Sequence, residues 1–310
     1  MKTNRLHNLA LQYDIPQKIK DTGCYPYFRI IESEQDTEVL IDKRKILMFG
    51  SNSYLGLTNH PKIKEAAKNA IDKYGSGCAG SRFLNGTLDL HLELERKLAE
   101  FVGKDDAIVF STGYQVSLGV IESIVNRQSN LFLDELDHAS LLDGSRLSNA
   151  KVLKFLHNDM EDLEKMLSKA IPDSLKLIIV DGIFSMEGDL CPLDEIVHLA
   201  EKYDAEVMVD DAHGLGVFGE GGSGTVNHFG LTDKVDLIMG TFSKSLATIG
   251  GFIAAEKNLI NLLRHKSRSL IFSASISPAN AASVIAALDI LRTEPERIKK
   301  LWDNTFFAQE

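Results

Sequence analysis

The 310 residues leave room for one large α/β domain or two smaller ones, and for a full core in either case. A net charge of −10 excludes the basic stripe of a nucleic-acid surface, although a local pocket can still take a small anion. Three cysteines, Cys24, Cys78 and Cys191, fit neither a disulfide framework nor metal-ligand spacing, which points to a reducing compartment. The opening stretch MKTNRLHNLALQYDIP lacks the apolar centre of a signal peptide, and no run approaches the ~18 apolar residues of a spanning helix. The sequence therefore reads as a cytoplasmic protein, with peripheral membrane contact left open.

Residues 1–49 read as an N-terminal arm: a helical start, then Gly23 to Phe28, then a hairpin turning at Asp42-Lys43-Arg44. Asn52 and Tyr54 follow in a polar and aromatic turn, where the bland reading of Asn52 is a turn former. Pro61 opens a helix over 61–73. A glycine-rich loop, Gly75 to Arg82, is either an anion cradle or a connector. Leu90, Leu94, Leu98 and Phe101 repeat at helical spacing, and His91, one position off that stripe, reads as a structural histidine.

From residue 107 the pattern is strand, turn, helix, repeated. The strand runs are 107–110, 131–133, 152–155, 177–180, 206–209, 235–239 and 251–255. They predict an α/β fold with a mostly parallel seven-stranded sheet between helices, binding its ligand beyond the carboxyl ends of the strands. A long helix follows Pro278 to about residue 293, and another begins near Glu294. Gly214, Gly216 and Gly219 match the dinucleotide-binding pattern, but Glu220-Gly-Gly-Ser-Gly224 prolongs a loop where that fingerprint needs a helix. Asp210, Asp211 and His213 have the types of metal ligands without further partners at sensible spacing, so no metal site is expected.

Lys244 lies in Thr241-Phe-Ser-Lys-Ser245, a turn of hydroxyls delivered by an apolar strand and followed by Gly250-Gly251. A partly desolvated amine there forms Schiff bases with carbonyls. The strand-end residues supply the other parts of a pyridoxal phosphate site. Asp210 is a carboxylate able to keep a pyridine nitrogen protonated. Gly113 and Tyr114 open a helix whose N–H groups suit a phosphate, with the hydroxyls of Thr241 and Ser243 beside the lysine. His138 is placed to lie against a flat ring, and Ser185 to reach its hydroxyl.

The ordered motifs NSYLGL, GSGCAGSRFLNGT, FSTGYQ, DHASLLDG, FSMEGD, VDDAHGLGVFGEGGSG and TFSKS span about residues 50–275. In them the chain resembles the α-oxoamine synthases, fold-type I pyridoxal phosphate enzymes that condense an amino acid with an acyl thioester and release carbon dioxide. The resemblance implies that Lys244 bonds to the cofactor and later moves the Cα proton. It implies that Asp210 pairs with the pyridinium, His138 stacks on the ring, and His213 and Ser185 contact the ring oxygen. Gly113, Tyr114, Thr241 and Ser243 would hold the phosphate. Ser273 would reach the partner's phosphate across a homodimer with shared sites, and Asn52 the substrate carboxylate.

Within the family, GSRFLNGT, FSTGYQ and TFSKSLATIGGF resemble members that join L-serine to palmitoyl-CoA to give 3-ketosphinganine. Relatives using glycine (2-amino-3-ketobutyrate ligase) or alanine (8-amino-7-oxononanoate synthase) carry a TLGKA-like segment there. A non-catalytic partner subunit is disfavoured by the joint presence of Lys244, Asp210 and His138. On this reading residues 50–293 form the cofactor-binding domain and 294–310 begin the family's small C-terminal domain, whose carboxylate-clamping arginine is absent from the sequence.

Overall fold

Runs rich in Val, Ile, Leu and Phe form the strands that order the molecule, because both faces of this sheet are covered and its central strands are buried along most of their length. The computed structural model describes residues 4–310; the three before them, part of the expected arm, lie outside the described residues. The chain separates into two compact units, one ending at Phe49 and one running from Gly50 to Glu310.

The first unit holds helices Arg5–Gln12 and Ile15–Asp21 and a hairpin of β1 (Glu38–Ile41) and β2 (Arg44–Leu47). Its turn is the pair Asp42 and Lys43, with φ of 50° and 61°, and Arg44 already pairs with Ile41. Two left-handed residues make the tight turn whose twist matches the strands. It is therefore one residue shorter than the sequence suggested.

The second unit is built on β3 (Asp106–Phe110), β4 (Asn130–Asp134), β5 (Lys151–Phe155), β6 (Lys176–Asp181), β7 (Glu206–Asp210), β8 (Leu237–Thr241) and β9 (Gly251–Ala255). They form one sheet in the order β3-β9-β8-β7-β6-β4-β5. The pairs from β5 to β8 are parallel, while β9 runs antiparallel to both β3 and β8. Side chains alternate between two cores. Ile178, Val180, Val207, Val209 and Ile238 enter the core under helices 61–74, 89–102, 193–203 and 278–293. Leu177, Ile179, Met208 and Met239 enter the core under helices 113–124 and 257–266. By the same period of two, Asp181, Asp210 and Thr241 fall on the second face, and Asp211 on the first.

The glycine-rich loop is tied inward. Gly80 O accepts from Ser275 N and Oγ, and a Cβ on Gly80 would lie 1.9 Å from Asn85 Oδ1. Arg82 holds buried Glu95 at 2.7 Å, which anchors the loop to helix 89–102. These glycines serve close packing. The segment after Gly214 is likewise a loop followed by a short 3₁₀ turn at Glu220–Gly222, with no helix opened by the glycines.

His91 is fully buried. Its Nδ1 accepts from Leu88 N at 3.1 Å, so Nε2 carries the proton and donates to Ile276 O at 3.0 Å. Burial, reinforced by the charge of Arg82, holds its pKa down at about 4. The folded value lies below the unfolded one of about 6.5, so its contribution is intact above that pH and is lost as pH falls towards 4. Thermal unfolding followed from pH 7 to pH 4 is expected to show this loss, at up to about 1.4 kcal/mol per pH unit. The slope should be shallower in His91→Gln. An equal slope in the variant would assign the acid sensitivity to other groups.

Candidate active site

Parallel strands end on one side of the sheet, and a cavity of about 320 Å³ opens there, on the face that carries helix 113–124. Its floor is set by register. Asp181 ends β6 and Asp210 ends β7, and the two are direct neighbours across the ladder. Thr241 ends β8, after which Phe242 N donates to Gly250 O and Thr248 N to Phe242 O, closing a loop that presents Ser243 and Lys244. Gly250 makes this closure possible. At its φ of +135° a Cβ would stand 2.5 Å from the fully buried Phe242 ring.

Lys244 is half-buried in the cavity wall. Burial lowers its pKa, and the opposing charges of Asp210 and then Asp181 recover only part of that shift. Asp210 is almost fully buried, and burial raises its pKa against the pull of Lys244, the Ala212 N–H at 3.1 Å and His138. Desolvation thus wins at both members of the pair, which favours an occupant that takes over their charges. Asp181 is also buried, and its Oδ1 has no partner.

The third wall is the start of helix 113–124. Thr112 caps it by accepting from Gln115 N at 3.2 Å, which leaves the N–H groups of Gly113 and Tyr114 beyond the reach of intrahelical acceptors. A Cβ on Gly113 would lie 2.8 Å from Thr241 Oγ1, so only a bare α-carbon brings the helix end this close to the hydroxyls of Thr241 and Ser243. His138 caps helix 139–148 through its ring, with Nδ1 3.3 Å from Ser140 N and 2.8 Å from Ser140 Oγ, which fixes the ring at the rim. His213 Nδ1 lies 2.6 Å from Tyr54 Oη. Burial raises the Tyr54 pKa, so its O–H donates and His213 carries its proton on Nε2. Burial and the charge of Lys244 hold His213 at about 4, neutral at physiological pH.

Eight expected residues therefore line one cavity: Gly113, Tyr114, His138, Asp210, His213, Thr241, Ser243 and Lys244. Three do not. Ser185 is exposed in the loop beyond the Ile183–Leu190 bridge. Ser273 is taken up by Gln115 Nε2 at 3.1 Å, and Asn52 is exposed in a turn whose carbonyl accepts from Tyr54 N. The sequence reading missed Thr112, Ser140, Asp181 and Tyr54. Asp181 had a signal, since its Leu-Ile-Ile-Val-Asp repeats the strand-then-carboxylate pattern of Val-Met-Val-Asp210. Asp211 faces away from the cavity, accepting from Thr225 N at 2.7 Å and Thr225 Oγ1 at 2.6 Å. Among the described residues no group of side chains has the arrangement of a metal site.

The donor set matches the handles of pyridoxal phosphate: an amine for its aldehyde, a buried carboxylate for its ring nitrogen, and a hydroxyl-flanked helix start for its phosphate. The residues present fit that group.

Comparison with known proteins agrees. The serine palmitoyltransferase of Sphingobacterium spiritivorum is 57% identical over 310 residues, covering 100% of this chain and 78% of that relative. The 8-amino-7-oxononanoate synthase of Thermosipho melanesiensis is 47% identical over 293 residues, covering 94% of this chain and 75% of that relative. A solved serine palmitoyltransferase structure with PLP superposes with a TM-score of 0.93 at 38% identity, over 97% of this chain and 76% of that one. The description "Aminotransferase class I and II" matches residues 44–307, so the chain belongs to the aminotransferase class I and II family.

Proposed function

We propose that this protein is a pyridoxal-phosphate-dependent acyltransferase that joins L-serine to palmitoyl-CoA, releasing CoA and carbon dioxide and giving 3-ketosphinganine. The observation that carries the reading is the meeting of Lys244, Asp210 and the start of helix 113–124 around one cavity. The 57% identity with a serine palmitoyltransferase, against 47% with an 8-amino-7-oxononanoate synthase, selects the serine reaction within the family.

When bound, pyridoxal phosphate supplies an electron sink for the charge left at the substrate Cα. The chain does the rest. Gly113 and Tyr114 N–H groups and the Thr241 and Ser243 hydroxyls would hold the phosphate. Asp210 would keep the ring nitrogen protonated, and His138, fixed by Ser140, would cover the ring face. His213, neutral and oriented by Tyr54, would offer its Nε2–H to the ring oxygen. Lys244 would hold the cofactor at its aldehyde carbon, and its amine is the base placed to take the substrate Cα proton. Its depressed pKa keeps a share of that amine unprotonated for the task. A walled cavity keeps water from competing for the carbanion.

Ser185 belongs to this reading only if its loop folds inward, Ser273 as a residue of a homodimer with shared sites, and Asn52 as a contact of the substrate carboxylate. The reaction is placed in the cytoplasm. No described helix is long and apolar enough to cross a membrane.

The test is product analysis by mass spectrometry, with serine, glycine and alanine offered separately alongside palmitoyl-CoA. Serine is expected to be the preferred substrate and to give 3-ketosphinganine. A preference for glycine or alanine would move the protein to the sister condensing enzymes, and no product from any of the three would overturn the acyltransferase reading.

A further inference from the structure

Two carboxyl groups, not one, sit under this cavity. Asp181 and Asp210 are register neighbours at the ends of β6 and β7, on the same face of the sheet, with relative exposures of 5% each. Among the described residues Lys244 is the only ammonium lining the cavity they share, so these walls offer a single positive charge to two acids. The second acid cannot be dismissed as structural. Asp181 takes the backbone N–H of His138, but its Oδ1 is buried and unpartnered, and its residue lines the cavity. A buried carboxyl oxygen left unmatched is costly unless something arrives to meet it.

We propose that Asp181 is a second binding residue of the cavity, acting as the neutral acid whose O–H reaches the bound pyridoxal phosphate while Asp210 keeps the negative charge. This rests on the cofactor reading above. The surroundings of Asp181 support the neutral form on balance. Burial raises its pKa well above the carboxylate range, the neighbouring Asp210 raises it further, and Asp134 at the end of β4 adds to this. The His138 N–H and the Lys244 charge pull the other way without overcoming them. Asp137, whose Oδ1 accepts from Asp181 N at 3.0 Å, is itself buried and raised, so it supplies no relief. A pair of close, buried acids settles into one charged and one neutral member, because both cannot ionise together.

The role separates charge from hydrogen bonding, and two substitutions distinguish them. Asp181→Asn keeps a neutral group able to donate and accept in the same place. Asp181→Leu keeps the bulk and removes both capacities. Pyridoxal phosphate affinity is measured by equilibrium dialysis on the purified apoprotein, together with the melting temperature without cofactor. The Asn variant is expected to bind within about threefold of the parent, and the Leu variant about tenfold or more weakly. The cofactor-free Leu variant should melt no lower than the parent, since it no longer buries an unmatched oxygen. An Asn variant as weak as the Leu variant would show that Asp181 acts as a charge, and a Leu variant with parental affinity would show that it does not touch the cofactor. Either result overturns the proposal. Failure of the parent protein to bind pyridoxal phosphate at all would instead overturn the cofactor reading, which keeps the two separable.

Discussion

Borohydride treatment of the purified, cofactor-loaded protein, followed by proteolysis, is expected to yield one labelled peptide, with the reduced cofactor on Lys244. Only Lys244 among the described lysines lines the cavity at the strand ends, and burial there lowers its pKa, which shifts the balance towards the free amine. In the proposed reaction the same residue takes the Cα proton, so Lys244→Ala would remove both the covalent tether and the base. Positioned acid–base groups contribute about 10²–10⁴ in rate, and turnover by the variant should fall by about a thousandfold or more. Cofactor binding should weaken less, because the proposed phosphate contacts at Gly113, Tyr114, Thr241 and Ser243 are untouched. A label on any other lysine would remove the centre of the proposed reaction.

Asp210→Asn is expected to cost about a hundredfold or more in turnover. The substitution keeps the shape at the end of β7 and deletes the charge that holds the ring nitrogen protonated. Breaking a buried charge pair by removing one partner costs about 3–5 kcal/mol, and each ~1.4 kcal/mol on the barrier is a factor of ten. The defect should fall on release of the Cα proton, read as slowed exchange of the serine Cα hydrogen for solvent deuterium, with serine binding affected less. Asp211→Asn separates the neighbours. From the sequence, Asp211 reads as the more tolerant of the two because it faces the other way. The structure turns Asp211 away from the cavity and adds that it is completely buried and holds the Gly214–Thr225 loop through two hydrogen bonds to Thr225. An amide there keeps one acceptor for Thr225 N but meets the Thr225 hydroxyl with a donor, so the hydroxyl proton loses its buried acceptor. Asp211→Asn should lower stability by about 1–3 kcal/mol while leaving the spectrum of the bound cofactor unchanged. A nearly silent Asp210→Asn beside an Asp211→Asn that abolished cofactor chemistry would reverse the two assignments.

Most of the strands were legible because they are short apolar runs closed by a polar or glycine residue. The run read as 177–180 folds as Lys176–Asp181, and the run read as 206–209 as Glu206–Asp210. Strand-end chemistry was legible for the same reason, since a period of two continues past the last apolar residue and assigns Asp210 and Asp211 to opposite faces. What local pattern does not carry is the neighbour. Nothing in Gly251–Ala255 marks it as the one antiparallel strand, and nothing near Tyr54 marks its contact with His213, 159 residues away. The Ser273 and Asn52 assignments came from motif resemblance alone, and Ser185 also from its place after a strand; all three side chains sit on loops and turns whose direction no periodicity fixes. Asp181 closes its strand as Asp210 closes β7, so the strand pattern carries it although the motif reading does not.

The place of β9 in the sheet has a consequence for how the protein is made. β3 pairs only with β9, and between the two come the five other strands of the sheet. During synthesis β3 therefore leaves the ribosome early and waits, with neither edge paired, until the segment through Ala255 follows it out. The wait exposes the apolar run Ala107 to Phe110 to other nascent chains, which carries a risk of aggregation. The proposed phosphate cradle shares the delay. A Cβ on Gly251 would lie 2.7 Å from Gly113 Cα, so the start of β9 is the surface against which the end of helix 113–124 is seated. Cofactor capture is thus expected to be a late event that reports on completed sheet closure.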